Sequence, residues 1–188
     1  MIELKTERLI IRSTKKEDAD FCLDICLDDE MGKYLSDPPR ENAAGTYIKW
    51  KDTVEVYDGC YYLIADSNEN KNYIGTCSAV PSEDKTHWDL GYAIHKKYWC
   101  KGYATEMINA LCDFCIENGA EYITADVAKL NNGSYAVLKK LGFKIEKEGS
   151  FKKSETDVIY EKYTYRIDSH KVLKESSKAY KLKPLKSK

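Results

Sequence analysis

The chain has 188 residues, 43% of them apolar, and a formal net charge of −1. This length and composition fit one domain with a substantial core and exclude a disordered chain. A net charge near zero gives the chain as a whole no general attraction to nucleic acid. The charge is uneven, however, because the segment from Lys171 to Lys188 carries +6 and leaves −7 on residues 1–170.

The segment Met1–Glu7 has neither a long apolar core nor a cleavage site of small residues, and no apolar run reaches the ~20 residues that span a bilayer. We therefore expect a cytoplasmic protein without a membrane partner. Seven cysteines lie inside apolar patterns and are expected to pack as free thiols. Cys112 and Cys115 have the spacing of a metal or redox pair, but no second pair accompanies them. We predict core packing and no metal site.

In the first half of the chain, helical patterns give way to strands. Leu9-Ile10-Ile11 predicts a strand, and a capping box from Thr14 to Glu17 starts a helix that runs to about Leu27. A second helical pattern spans roughly Glu41 to Tyr57. Three strands separated by polar turns follow at residues 61–65, 73–80 and 88–94.

The second half begins with a strongly amphipathic helix that ends at Gly119. Its apolar side carries Met107, Ile108, Leu111, Phe114 and Cys115. A strand at residues 122–127 follows directly, so strand–helix–strand predicts one parallel crossover in an otherwise antiparallel sheet. A short helix that stops at Gly142 and a hairpin of residues 143–145 and 157–167 complete a mixed α/β domain. We place this domain at residues 1–168 and a lysine-rich tail at residues 169–188.

Two turns in this pattern carry candidate binding chemistry. Gly102 has no Cβ and Ala104 almost none, so an anion can approach the free amides at the start of the amphipathic helix. A glycine there is also ordinary turn chemistry. Asn131 and Ser134 open the next helix at the same crevice, where open α/β sheets bind ligands. The same two side chains could simply cap that helix.

Four segments share their order and spacing with one family. They are Leu4-x-Thr6-Glu7-Arg8-Leu9-x-x-Arg12, Leu90-Gly91-Tyr92, Tyr98-Trp99-x-Lys101-Gly102-Tyr103-Ala104-Thr105-Glu106 and Asn131-x-x-Ser134-x-x-Val137-Leu138-x-x-Leu141-Gly142-Phe143. Together they resemble the GNAT superfamily of acyl-CoA-dependent N-acetyltransferases. The closer resemblance is to the RimJ/RimL-like branch, which includes ribosomal-protein-alanine acetyltransferases.

The resemblance implies a single GNAT-like domain with a splayed pair of strands, helices on both faces of the sheet, and acetyl-CoA as cofactor. The CoA pyrophosphate would lie on backbone amides of residues 100–105. The pantetheine arm would run like an extra strand beside residues 92–94, with Asn131 and Ser134 near its sulfur. The residues expected to bind the cofactor are Tyr92, Ala93, Ile94, Trp99, Cys100, Lys101, Gly102, Tyr103, Ala104, Thr105, Asn131 and Ser134.

Catalysis would require a base, an oxyanion donor and a proton donor. Asp89, where the family often has Glu, is the candidate base, directly or through water; its alternative is a solvated strand residue. The amide near Ala93 or Ile94 could stabilise the oxyanion. Leu138 stands where many superfamily members carry a general-acid Tyr, so Ser134 becomes the candidate donor to the thiolate.

Cys100 stands where the branch commonly has Gly. Cofactor binding there is expected to survive if the turn needs no positive φ. The acidic run Asp28-Asp29-Glu30 either attracts a cationic amine or is a solvated helix end, and we favour the second.

The resemblance implies transfer of an acetyl group to a primary amine by direct attack, with a protein N-terminal α-amine of the ribosomal-protein type as the preferred acceptor. A small amine such as a polyamine or aminoglycoside is the alternative acceptor. Two rival functions are a non-catalytic CoA-binding sensor and an RNA-binding protein. The acetyltransferase function itself requires no nucleic acid. A homodimer is compatible with the sequence.

Overall fold

The computed structural model describes residues 2–37 and 61–176, and its strands form one eight-stranded sheet. The strands are β1 (Glu3–Lys5), β2 (Leu9–Ser13), β3 (Tyr61–Ser67), β4 (Tyr73–Pro81), β5 (His87–Ile94), β6 (Tyr122–Ala128), β7 (Lys144–Lys152) and β8 (Ile159–Asp168). Their order is β1-β2-β3-β4-β5-β6-β8-β7. Every neighbouring pair is antiparallel except β5 and β6, which run parallel. The predicted mixed α/β fold with one parallel crossover is therefore confirmed.

The helices of the described residues are α1 (Ala19–Leu27), α2 (Tyr103–Glu117), α3 (Asn132–Lys140) and α4 (Ser169–Ser176). Short 3-10 turns at Lys16–Asp18 and Lys96–Tyr98 precede α1 and α2. None of these helices is long and apolar enough to cross a bilayer. The helical pattern predicted at residues 41–57 lies outside the described residues.

Helix α2 supplies the largest share of the core. Its five predicted apolar residues are all buried, together with Trp88 and Leu90 from β5 and with Leu9 and Ile11 from β2. The Trp88 ring meets Phe114 edge to face, with ring centroids 5.7 Å apart. Cys112 and Cys115 belong to this core, where burial raises the pKa of both thiols. The core packing predicted for this cysteine pair is confirmed.

Helix α1 covers the other face of the sheet. The register pairs Arg12 with Ile64, Ile64 with Thr76, and Thr76 with Ala93, so these four residues share the face opposite to Leu90 and α2. Arg12 donates to both carboxylate oxygens of Asp18, at 2.8 and 2.9 Å, just before α1 begins. Its Nε also donates to Asp66 at 2.7 Å. The predicted placement of helices on both faces is confirmed.

Three elements differ from the sequence-based expectation. The acid that accepts the backbone amide before α1 is Asp18, bonded to Lys15 N at 2.8 Å, rather than Glu17. Strand β7 reaches Lys152 and is far longer than the predicted segment 143–145. Its length is not visible in the sequence pattern, because nearly all its residues are exposed and show no alternation of buried and exposed positions. Helix α4 packs against α2, with Val172 in the core, so ordered structure extends past the proposed domain end at residue 168.

The feature of this fold that creates a binding gap is the short contact between β5 and β6. The two strands pair only from His87–Tyr122 to Asp89–Thr124. Beyond that point β5 stays with β4 as far as Ile94, whereas β6 stays with β8 as far as Ala128. The strands therefore diverge, and a wedge-shaped gap, which we call the splay, opens after Asp89.

Candidate active site

One edge of the splay carries backbone groups that have no strand partner. The amide of His95 donates to Ile74 O at 3.0 Å. Because hydrogen-bonded and non-hydrogen-bonded pairs alternate in an antiparallel ladder, Ala93 then directs its N–H and C=O to β4, whereas Tyr92 and Ile94 direct theirs into the splay. Of the two oxyanion donors considered above, the register therefore favours the amide of Ile94. Its carbonyl accepts the indole N–H of Trp99 at 2.6 Å.

The turn before α2 forms a concave run of amides. Cys100 has φ +58° and Gly102 has φ +82°, so two left-handed residues flank Lys101. Left-handed residues next to right-handed ones can aim successive N–H groups at one point, which is the geometry of an anion-binding nest. We call residues 100–105 the anion-binding turn, after the role expected of them. The first helical bond here is Glu106 N to Gly102 O, at 3.1 Å. Within the described part of the chain, no group accepts a hydrogen bond from the amides of residues 100–105.

We expected Cys100 to be harmless if the turn needs no positive φ there, and this condition is not met. The turn does use a positive φ at this position, and an L-residue with a Cβ is strained there by about 1–2 kcal/mol. The side chain itself is exposed to solvent. The amide remains present, so the cost falls on the stability of the loop and not on the number of donors.

Arg8 fastens this turn to the amino-terminal segment. Its Nη1 donates to Lys101 O at 2.9 Å, and its guanidinium lies 4.3 Å from the centroid of the Tyr103 ring. Its Nε and backbone N both donate to the Glu106 carboxylate, at 2.7 and 2.8 Å. Thr6 Oγ1 adds a third bond to that carboxylate, at 2.5 Å. The Thr6–Arg8 motif and Glu106 thus form one cluster that shapes the loop.

This cluster was missed as part of the site. In the sequence, Thr6, Arg8 and Glu106 stand out only as part of the family resemblance. One available signal was an acid, Glu106, directly before the buried run of α2, since a carboxylate is seldom buried unless it is paired.

The second motif lies at the start of α3. Asn131 is the N-cap residue, and its Oδ1 accepts the amide of Ser134 at 3.1 Å, so the capping role considered above is present. The Tyr92 hydroxyl donates to Ser134 O at 3.3 Å and ties β5 to α3. Burial raises the pKa of Tyr92 to about 12, so the phenol stays protonated. Leu138 is fully buried in the core.

The two motifs leave the sheet at the same edge. Residues 99–105 follow the carboxyl end of β5, and Asn131 follows the carboxyl end of β6. Because β5 and β6 run parallel, these two ends point the same way on either side of the splay. The fold therefore brings the anion-binding turn and the Asn131–Ser134 turn together around one gap.

Asp89 lies at the apex of the splay, on the face opposite to α2. Its Oδ1 accepts the hydroxyl of Thr124 at 2.7 Å. Burial raises the pKa of Asp89, and the charge of Asp126 adds to that effect, while the Thr124 bond opposes it. A half-buried carboxylate with a raised pKa beside a gap suits a general base.

Asp89 is also the carboxylate of β5, β6 and β8 that has no salt bridge among the described residues. Asp126 is bound by Lys162, Glu161 lies 3.4 Å from Lys129, and Asp168 lies 2.9 Å from Arg166. In the acidic run after α1, Asp28 and Glu30 already contact Lys96. Asp28 accepts the amides of Glu30 and Met31 and the ammonium of Lys96, which lower its pKa to about 2. The Asp28 carboxylate therefore stabilises the turn that follows α1 and is already bound to a cation, Lys96.

Comparisons with known proteins agree with this geometry. The sequence pattern of the family described as "Acetyltransferase (GNAT) domain" matches residues 8–144. An uncharacterized N-acetyltransferase from Bacillus licheniformis, p20, is 28% identical over 153 residues, which cover 79% of this chain and 85% of p20.

Two solved structures share the fold. One is spermidine N-acetyltransferase of Vibrio cholerae in complex with CoA and spermine, with a TM-score of 0.75 and 17% identity, over 88% of this chain and 98% of that one. The other is the ribosomal-protein-S5-alanine acetyltransferase of Vibrio fischeri, with a TM-score of 0.71 and 19% identity, over 90% and 97% of the two chains.

The chain belongs to the GNAT acetyltransferase family, because the family pattern covers well over half of it. It is an acyltransferase with general N-acetyltransferase activity, and the family uses acetyl-CoA as acetyl donor. This assignment favours an enzyme over the rival CoA sensor. The names of the two proteins of known structure indicate different acceptors, a polyamine and a ribosomal protein, so these similarities leave the acceptor of this chain open.

Strain at Cys100 can be measured. Cys100→Gly should raise the free energy of unfolding by roughly 0.5–1 kcal/mol, because relief of the left-handed strain exceeds the extra chain entropy of glycine. Cys100→Ala is the matched control, since it removes the thiol and keeps the Cβ. Urea denaturation of the three proteins makes the comparison. A Gly variant no more stable than the Ala variant would show that the turn is not strained.

Proposed function

We propose that this enzyme transfers the acetyl group of acetyl-CoA to the N-terminal α-amine of a protein. The observation that carries the proposal is the placement of Asp89. It lies at the apex of a gap whose open end carries an anion-binding turn. Among the described residues of β5, β6 and β8, Asp89 is the carboxylate that forms no salt bridge. Asp89 would accept a proton from one amine, the splay would hold the arm of the thioester, and the amides of residues 100–105 would bind its anionic end.

The residues present fit CoA. The pyrophosphate would accept hydrogen bonds from the amides of residues 100–105, with Lys101 adding positive charge and Arg8 offsetting the charge of Glu106. The pantetheine amides would pair with the backbone groups of Tyr92 and with the second lone pair of the Ile94 carbonyl, which leaves the Ile94 amide for the thioester oxygen. Asn131 Nδ2 and the Ser134 hydroxyl would meet the arm from the opposite side. Bound acetyl-CoA supplies an already activated acyl group, so the chain need not form a covalent intermediate.

Each proposed residue role follows from where charge and protons move. Asp89 accepts one proton from the ammonium group of the acceptor and later releases it to solvent. The freed amine attacks the carbonyl carbon, and the amide of Ile94 donates to the carbonyl oxygen as it gains negative charge. The C–N bond forms and the C–S bond breaks. The second amine proton passes to the Ser134 hydroxyl as that hydroxyl gives its own hydrogen to the CoA thiolate, so the serine ends neutral and the sulfur ends as a thiol. Much of the rate comes from positioning the two reactants.

Two features of the site favour an α-amine over a polyamine: Asp89 is a carboxylate base, and the other carboxylates near it are paired. An α-amino group has a pKa of about 7.7–8.0, against about 10.4 for a lysine-type amine, so a carboxylate deprotonates it at lower cost. A polyamine also carries several charges and needs several free carboxylates. On β5, β6 and β8 the other carboxylates are paired with Lys162, Lys129 and Arg166.

The acceptor class can be tested with a panel of amines. Purified enzyme with acetyl-CoA should release free thiol with a peptide that has a free N-terminus. The same peptide with a blocked N-terminus is the matched control and should give no release. Spermidine, spermine and an aminoglycoside complete the panel. Faster release with these small amines than with any free-terminus peptide would contradict the proposed acceptor.

The base role predicts a change in both rate and pH profile. Asp89→Asn should lower kcat by about 100-fold or more, because the amide cannot accept the proton. In the wild-type enzyme kcat/KM should fall as the pH drops through the raised pKa of Asp89, since the protonated acid is no base; this limb should vanish in the variant.

Calorimetry should find the affinity of Asp89→Asn for CoA unchanged. Asp126→Asn, which alters a salt-bridged carboxylate on the same face, is the control and should retain most of the turnover. Equal rates for wild type and Asp89→Asn would remove Asp89 from the mechanism.

The role of Arg8 predicts a loss that depends on the donor. Arg8→Met releases the Lys101 carbonyl and leaves the Glu106 charge unpaired beside the pyrophosphate site. The KM for acetyl-CoA should rise about tenfold, equivalent to about 1.4 kcal/mol. Acetyl-pantetheine lacks the pyrophosphate, so its KM should change little and it serves as the control. An equal loss with both donors would mean that Arg8 does not act through the anion-binding turn.

A further inference from the structure

A chain of three polar side chains crosses from β5 to β6 at the apex of the splay. Thr124 Oγ1 donates to Asp89 Oδ1 at 2.7 Å, and His87 Nε2 lies 2.8 Å from the same Thr124 oxygen. A threonine hydroxyl has one hydrogen, and here the carboxylate takes it. His87 Nε2 must therefore carry a hydrogen and donate it to Thr124. The direction of the chain is His87 to Thr124 to Asp89.

The register of the sheet places these three groups on one face. Asp89 and Thr124 are the last parallel pair before the strands diverge, and His87 precedes Asp89 by two residues. The Thr124 side chain is buried, so its hydroxyl is costly to leave without a partner. His87 is held in place by its stack on Tyr122, with ring centroids 4.7 Å apart and planes 13° apart.

Thr124 and His87 are not part of the proposed anion-binding turn or of the Asn131–Ser134 turn. We propose that they are positioning residues for the reaction: they fix one oxygen of Asp89 so that the other faces the incoming amine. The inference rests on the proposed base role of Asp89. Oδ1 is held by Thr124, so Oδ2 is the oxygen that takes the proton. His87 keeps the Thr124 hydroxyl turned toward the carboxylate, because its N–H occupies the acceptor side of that hydroxyl.

The chain also sets how readily Asp89 holds a proton. Burial and the nearby charge of Asp126 on β6 raise the pKa of Asp89. The Thr124 bond, His87 on β5 and Lys162 on β8 lower it. Removing the Thr124 hydroxyl deletes the largest opposing contribution, so the carboxyl becomes protonated at a higher pH. A purely structural role for Thr124 would leave the pH profile in place.

The test compares pH profiles of variants. Thr124→Val keeps the shape and loses the hydroxyl. It should move the acidic limb of kcat/KM to higher pH and lower kcat about tenfold, with the KM for acetyl-CoA unaltered. Thr124→Ser restores the hydroxyl and should restore the wild-type profile. His87→Phe keeps the stack on Tyr122 but removes the N–H; it should shift the limb in the same direction by a smaller amount.

The outcomes separate this inference from the proposal on which it rests. If Asp89→Asn turns over at the wild-type rate, the base role fails and the positioning role fails with it. If Asp89→Asn is slow while His87→Phe and Thr124→Val keep the wild-type acidic limb, the base role stands and the positioning role is overturned. If Thr124→Val does not fold, the limb of His87→Phe decides alone: a shift supports the inference and an unmoved limb overturns it.

Discussion

The parallel contact between β5 and β6 is the constraint on which the rest of the site depends. It lasts for three residue pairs and ends at Asp89–Thr124. Each strand then follows a different antiparallel partner, so the sheet cannot close and the backbone groups of Tyr92 and Ile94 face an open gap. The same two strands run in one direction, which puts the turns after them at one edge. A longer parallel ladder would seal the gap and leave no room for an arm of cofactor.

A second constraint is electrostatic. Helix α2 begins at the anion-binding turn, yet its first turn contains a buried acid, Glu106. An unpaired carboxylate there would repel a pyrophosphate. Arg8 and Thr6 bind this carboxylate, and Arg8 in turn holds the Lys101 carbonyl. The amino-terminal segment, distant in sequence, thereby neutralises the acid and shapes the turn with the same guanidinium group.

Strong periodic patterns explain what could be predicted from the sequence. The apolar spacing of α2 specified its buried face, and strand–helix–strand specified the parallel crossover, because both follow from local periods and a general handedness rule. Strand β7 was underestimated since its exposed residues do not alternate. The capping acid proved to be Asp18, because Arg12 on β2 binds the Asp18 carboxylate and thereby selects it over Glu17.

The site was predictable in outline and not in detail. Residues 100–105 and Asn131 could be placed by resemblance. The positive φ of Cys100 depends on how the turn is fastened by Arg8, 92 positions away in the chain. The His87–Thr124–Asp89 chain depends on strand register, which no single strand reveals. The alternation of Thr124 and Asp126 in an apolar strand was the available clue, and only the pairing of Thr124 with Asp89 gives it meaning.

Hydrogen exchange at the amides of residues 100–105 is the decisive measurement, because these groups would hold the pyrophosphate. Saturating CoA should slow their exchange by about tenfold or more, whereas pantetheine, which lacks the pyrophosphate, should not. If CoA leaves these amides exchanging at their free rate while the enzyme still releases thiol from acetyl-CoA, the cofactor binds elsewhere and the account is wrong.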